Sequence, residues 1–319
     1  MAQLQRLDVK VWVDGDRLRV NAPEGALSAA LKDEMQWRKP EIISFLAAAV
    51  AEAAFPASIV PLQPEGVKTP IFAVPGHNGD VFCYVRLADE LSHDRPFYAL
   101  QPPGLDGRRA PATTIKDLAA VFADDITTLR PDGPVVIAGF CLGGTTAFET
   151  ARQLAERGRE ISMLALFGAP CPTSWKPAHQ AIARIKHYGA RAADYGRALL
   201  TSPREGLARL GSRARTAASS TPEPADLTTR NRLAVENVTV EAVKAYEPKT
   251  YGGWITLYYP DATWRGSDDR PEDWKLFTKR GVEERIGPPG CNGDHMLRDY
   301  APAIARLFAA DLERSPREE

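Results

Sequence analysis

Val135-Val136-Ile137-Ala138-Gly139-Phe140-Cys141-Leu142-Gly143 is the stretch on which the fold turns. Its first four residues read as a buried strand, and Leu142 to Arg157 carries a helical apolar pattern. Between them stands G-x-C-x-G, a tight turn with a nucleophilic side chain at its apex. Strand, sharp turn and helix in that order make a nucleophile elbow. The turn needs small residues two before and two after the apex, and Gly139 and Gly143 meet that need. The apex then sits at a helix N-terminus, whose dipole and free N–H groups favour an anion and, for cysteine, the thiolate. A structural cysteine in a glycine-rich turn is the competing reading. The flanking strand and helix, and a histidine far downstream, count against it.

Working outward, apolar runs alternate with helical patterns. Ile71 to Val74, Phe97 to Leu100, Ile161 to Phe167, Trp254 to Tyr259 and Gly281 to Ile286 read as strands. Ile115 to Leu129 and Leu297 to Leu312 read as helices. This alternation predicts an α/β fold with a mainly parallel sheet covered on both faces. Residues 172–245 break the rhythm and read as mostly helical. Gly293-Asp294-His295 follows the last strand, where the α/β-hydrolase order of nucleophile, acid and histidine puts the base. His295 is therefore the expected general base for Cys141. Val74-Pro75-Gly76-His77-Asn78-Gly79 leaves the first buried strand, where this fold supplies an oxyanion N–H. The expected oxyanion hole is the backbone N–H of Leu142 with that of His77.

The chain has 319 residues, 44% hydrophobic and 25% charged, with a net charge of -1. There is no global basic field of the kind nucleic-acid binders use. No apolar run is long enough for a membrane span, and no signal peptide is apparent. Four widely spaced cysteines without a CxxC pair argue against a disulfide scaffold or structural zinc and fit a reducing cytoplasm. Neither a metal nor a bound cofactor is expected. Residues 1–50 read as a small α+β module. Val9 to Val13 alternates, Asp14-Gly15-Asp16 turns, Arg17 to Val20 alternates again, and two short helices follow. Residues 51–68, rich in Ala and then Pro, read as a linker to the main domain at 69–319.

Several stretches together resemble the thioesterase domains of nonribosomal peptide and polyketide assembly lines over about residues 58–313. They are Val60-Pro61-Leu62-Gln63-Pro64, Tyr98-Ala99-Leu100-Gln101-Pro102-Pro103-Gly104, the elbow with Phe148-Glu149 behind it, Tyr246 with Tyr251-Gly252-Gly253, and Gly293-Asp294-His295. The resemblance implies an α/β-hydrolase fold with a helical lid at about 172–245. It also implies an acyl or peptidyl substrate carried on the phosphopantetheine arm of a carrier protein. Residues 4–46 resemble the tubulysin-type N-terminal docking domain through Trp12-Val13-Asp14-Gly15-Asp16-Arg17-Leu18, Ala22-Pro23-Glu24-Gly25 and Arg38-Lys39-Pro40-Glu41. Such modules capture the C-terminal tail of an upstream synthetase, by strand addition to the hairpin. The chain departs from the thioesterase pattern twice. Cysteine stands where serine is usual, and Gly168-Ala169-Pro170 follows the strand after the nucleophile helix, where the family commonly has its acid. Asp261, at the end of the next strand, is the expected acid, with Asp268 and Asp269 as fallbacks. In the lid, nine basic residues stand between Lys176 and Arg215 against two acidic ones, Asp194 and Glu205. That is a docking face for an acidic carrier protein or a solvated surface. Two other functions compete: a shuttle moving aminoacyl groups between carrier proteins, and a non-enzymatic docking adaptor.

Overall fold

The computed structural model describes residues 10–14, 17–21, 55–107, 109–176 and 227–314. The chain divides into two compact units, Met1–Ala57 and Ser58–Glu319. In the first, β1 (Lys10–Asp14) pairs antiparallel with β2 (Arg17–Asn21), with Val11 opposite Val20 and Asp14 opposite Arg17. This is the hairpin expected from the two alternating runs. The two helices expected after it lie outside the described residues.

The second unit is built on seven strands. They are β3 (Ile59–Gln63), β4 (Ile71–Val74), β5 (Phe97–Leu100), β6 (Val135–Phe140), β7 (Ile161–Phe167), β8 (Trp254–Tyr259) and β9 (Gly281–Ile286), in spatial order β3-β5-β4-β6-β7-β8-β9. All neighbours are parallel except β3, which runs antiparallel to β5 at one edge. β3 corrects the expected linker at 51–68. Its prolines made it read as a connection, but an edge strand with a register shift between Pro61 and Gln63 tolerates the missing N–H. The central strands are short and apolar throughout because helices cover both faces; every residue of β4 and β5 is buried.

α1 (Val85–Asp89) follows a 3-10 turn at Val81–Tyr84. α2 (Ile115–Leu129) starts where Thr114 accepts the Asp117 N–H at 3.1 Å, and it buries Ile115, Leu118, Ala119, Phe122 and Ile126 at helical spacing. α3 (Gly143–Glu156) is buried almost all round. α4 (Leu227–Ala245) belongs to the region expected as lid; residues 177–226 of that region lie outside the described residues. α5 (Ala301–Leu312) presses Ile304, Ala305 and Phe308 into the core. There Phe167 stacks on Tyr258 at 4.5 Å and meets Phe308 edge-on at 5.1 Å. Truncating a core ring such as Phe308 to Ala costs about 3–5 kcal/mol.

The strand order positions the site. From β4 the chain goes to β5 on one side, then crosses back to β6 on the other. The loops after β4 and β6 therefore leave their strands in opposite directions and open a crevice at the strands' C-terminal ends, where sheets of this class bind ligands. The first loop carries His77 and the second carries Cys141. This is the α/β-hydrolase arrangement.

Candidate active site

Cys141 has φ of 52°, in the left-handed region that a side chain other than glycine rarely adopts. Such strain persists only where the surroundings hold it, and it clusters at functional sites. Here the Cys141 N–H donates to the Phe167 carbonyl at 3.0 Å, and the Cys141 carbonyl accepts from Gly144 at 3.0 Å. The elbow is thus tied to the end of β7 on one side and to the start of α3 on the other. The flanking glycines are required by close approach. A Cβ on Gly143 would stand 1.9 Å from the Pro75 carbonyl oxygen, and one on Gly139 would stand 2.6 Å from the Ala147 Cβ. The first of these contacts also seats the loop after β4 against the elbow. Gly76 lies beside the elbow residue, with its Cβ position 3.8 Å from Cys141 Cβ. Leu142 is the N-cap of α3, so its N–H belongs to the group that finds no acceptor within the helix.

The loop after β4 is held from several directions. Gly79 donates to the Gly76 carbonyl at 3.0 Å, Asn78 accepts from the Asp80 N–H at 3.1 Å, and the buried Tyr84 hydroxyl donates to the Val74 carbonyl at 2.6 Å. His77 faces α4, its Nε2 lying 3.3 Å from Glu236 Oε1. Its Nδ1 is enclosed without a hydrogen-bond partner among the described residues. A pocket of about 240 Å³ adjoins this loop, lined by Asn78, Asp80, Phe82, Gln101, Leu105 and Arg232. A larger cavity of about 720 Å³, lined by Thr69, Val136, Ile161 and Trp254, opens at the N-terminal ends of the strands, away from Cys141.

His295 ends a 3-10 turn at Gly293–His295, whose N-cap Asn292 accepts the His295 N–H at 3.1 Å. The next residue, Met296, is fully buried, and its sulfur lies 3.6 Å from the Cβ position of Gly168. Gly168 follows Phe167, the residue that accepts the Cys141 N–H. The histidine loop is thereby anchored at the same sheet end as Cys141. The ring Nδ1 lies 2.5 Å from Asp299 Oδ2 and 2.8 Å from Arg298 Nη2. Arg298 also donates to Asp299 through Nε at 2.9 Å. Arg298, and then His295, hold the Asp299 carboxyl down at about 2.

Asp261 stands just after the end of β8, where the sequence puts it. It is the N-cap of the 3-10 turn Ala262–Trp264, and its Oδ1 accepts from the Thr263 N–H at 2.8 Å and the Thr263 hydroxyl at 2.6 Å. Those two bonds, chiefly, hold its carboxyl below the usual carboxylate range, helped by backbone bonds from Gly290 and Trp264. After burial, the Asp261 charge is what pushes the Cys291 thiol up to about 11. Asp261 therefore faces the segment leading to His295, while the ring nitrogen bonds Asp299. Of the fallbacks, Asp269 has its carboxyl raised by burial and then by Asp268, and its carbonyl accepts the Cys171 N–H at 2.9 Å.

Two features escaped the sequence reading. Asp299 stands four residues after His295, a spacing that signals contact only if the intervening turn is known. The other is a buried cluster behind the elbow. Glu149 of α3 accepts from the Tyr246 hydroxyl at 2.6 Å, from Arg152 at 2.7 and 2.8 Å and from Gln153 at 3.0 Å. It ties α3 to the residue that follows α4. Among the described residues no cluster of His, Cys, Asp or Glu could hold a metal ion, and no helix is long and apolar enough to cross a membrane.

Comparison with known proteins finds matches over both units, the first of them to a family model. A 112-residue stretch is 39% identical to an atromentin synthetase of Paxillus involutus, covering 35% of this chain and 12% of that protein. A dimodular nonribosomal peptide synthase of Bacillus subtilis is 28% identical over 270 residues, 80% of this chain and 11% of its own length. The chain thus spans about a tenth of the length of these relatives. Among solved structures, the NocB thioesterase domain from the nocardicin cluster superposes with a TM-score of 0.56 at 20% identity, covering 80% of this chain and 99% of that one. The type II thioesterase BorB from the borrelidin cluster gives 0.56 at 20% identity, covering 81% and 99%. Both solved structures share the fold of this chain. Residues 1–47 match the TubC N-terminal docking domain and residues 69–188 match the Thioesterase domain, so the strand–elbow–helix unit around Cys141 lies inside a thioesterase match and the hairpin β1–β2 inside a docking-domain match.

Proposed function

We propose that this chain is an assembly-line thioesterase that takes an acyl or peptidyl chain from the phosphopantetheine thioester of a carrier protein onto Cys141. It then passes the chain to an amine, an internal nucleophile or water. The observation that carries this reading is Cys141 at positive φ on the β6–α3 turn, packed against the loop after β4. His295 takes the thiol proton, and the thiolate attacks the thioester carbonyl. The N–H groups of Leu142 and His77 receive the developing oxyanion. Collapse expels the pantetheine sulfur, which leaves as a thiol with the proton from the imidazolium. An acceptor then repeats the sequence on the acyl-cysteine, with His295 removing its proton. Two carboxylates compete to orient His295: Asp261 by its strand-end position and Asp299 by its bond to the ring. No cofactor is bound by the chain itself in this scheme. The acyl-cysteine is itself a thioester, so it stays activated toward amines.

The match of residues 1–47 to a docking domain supports recruitment to the C-terminal tail of an upstream synthetase. It favours chain release over the shuttle reading. The retained elbow glycines, Cys141 and His295 argue against a mere adaptor. Incubation with a synthetic acyl-pantetheine, read by intact mass, tests the scheme. Wild type should carry an acyl adduct that turns over to free product, and Cys141→Ala should carry none. Release only onto another carrier protein would favour the shuttle, and absence of any adduct the adaptor.

A further inference from the structure

The geometry points to Asp299, and not Asp261, as the positioning residue that orients the His295 ring, an assignment that rests on the catalytic role proposed for His295. A ring nitrogen carries one proton and gives one strong hydrogen bond. Asp299 Oδ2 lies 2.5 Å from Nδ1, and an ionised carboxylate can only accept, so the Nδ1 proton is given to it. Arg298 braces both oxygens of Asp299, Nε donating to Oδ1 at 2.9 Å and Nη2 to Oδ2 at 3.3 Å, so the carboxylate is held in place beside the ring. Asp261, in contrast, has Oδ1 committed twice to Thr263, and turning toward His295 would give up that cap.

The charges around the ring give the pair a distinct signature. Arg298 Nη2 lies 2.8 Å from the same Nδ1, a donor that competes with Asp299 for that ring nitrogen. With Asp299 ionised, Nδ1 keeps its proton, and the free lone pair is on Nε2, the nitrogen left to exchange a proton with the Cys141 thiol. Neutralising Asp299 leaves the guanidinium alone beside the ring. The ring is then a poorer proton acceptor for Cys141, and the thiolate is lost below the ordinary thiol range, where a lone thiol is protonated. A surface pair with no role would have no such effect.

The test is alkylation of Cys141 by iodoacetamide in the full chain from about pH 5 to about pH 9, followed by peptide mass, beside the acyl-pantetheine assay. Asp299→Asn should lower the alkylation rate about tenfold near pH 6, leave it unchanged near pH 9, and slow acyl loading about 10–100-fold. Asp299→Glu should recover part of both, and Arg298→Gln should not lower the rate near pH 6. Asp261→Asn should move the profile less than about threefold. Asp299 is half exposed, so these variants should melt with wild type. An acyl-forming wild type that Asp299→Asn matches at every pH, or a larger loss in Asp261→Asn, overturns this assignment alone. A wild type with neither acyl adduct nor alkylation at low pH overturns the catalytic reading, and the assignment with it.

Discussion

At the scale of single residues, the four thiols differ in what surrounds them. Burial, reinforced by Asp80, pushes Cys83 up to about 12, and burial alone accounts for most of the rise of Cys171 to about 11. Cys291 reaches about 11 through burial and then Asp261. None of these three offers thiolate near neutral pH. Cys141 stands at a helix N-terminus, partly exposed. Brief iodoacetamide treatment at about pH 7.5 should therefore label Cys141 before the others, and Cys141→Ala should remove the fast label. Peptide mapping that found Cys83 labelled first would put the reactive thiol in the wrong place. The turn at Cys141 and its glycines were legible in the sequence because an elbow is a local motif with fixed spacing. The partner of His295 was not, because it depends on the turn between them. A helix was expected from Leu297; the chain instead turns through residues 296–300, and α5 begins at Ala301.

At the scale of elements, the Glu149 cluster couples α3 to the residue that follows α4. Burial pushes the Glu149 carboxyl up, but the hydrogen bonds from Arg152, Tyr246 and Gln153 together outweigh it and hold it below its ordinary value of 4.5. A depressed carboxyl contributes stability that is present above its unfolded value and lost as pH falls through the folded one. Wild type should therefore lose melting temperature as pH drops below about 4.5, and Glu149→Gln should show a flatter acid limb. At neutral pH the same variant should be less stable by about 1–3 kcal/mol, because it leaves the Arg152 guanidinium underpaired in the interior. Melting curves across that range check both. A variant as stable as wild type at pH 7 would show that the cluster does not hold α3 and α4 together. Periodicity placed α3 within a residue at each end, yet said nothing of this cluster. Its members are 97 residues apart at the Tyr246–Glu149 bond, and such pairs leave no spacing signal.

At the scale of the whole chain, the two units make separate predictions. The unit Ser58–Glu319 contains the whole seven-stranded sheet. Deleting residues 1–50 should leave turnover of a small soluble acyl-pantetheine within about twofold, while slowing transfer from the upstream carrier protein. Loss of the small-substrate activity would mean that the segment belongs to the catalytic core. The sequence by itself determined the strand–helix alternation, the hairpin at 10–21, the elbow and the histidine after the last strand. Each of these is written in local periodicity or in the spacing of glycines, which backbone sterics and burial enforce within a few residues. Only the tertiary structure decided the edge strand hidden in a proline-rich stretch, the Glu149 bond between distant helices, and the carboxylate that meets His295. Those follow from which surfaces meet when the sheet closes and how one turn is bent, and no local pattern of residues carries that information.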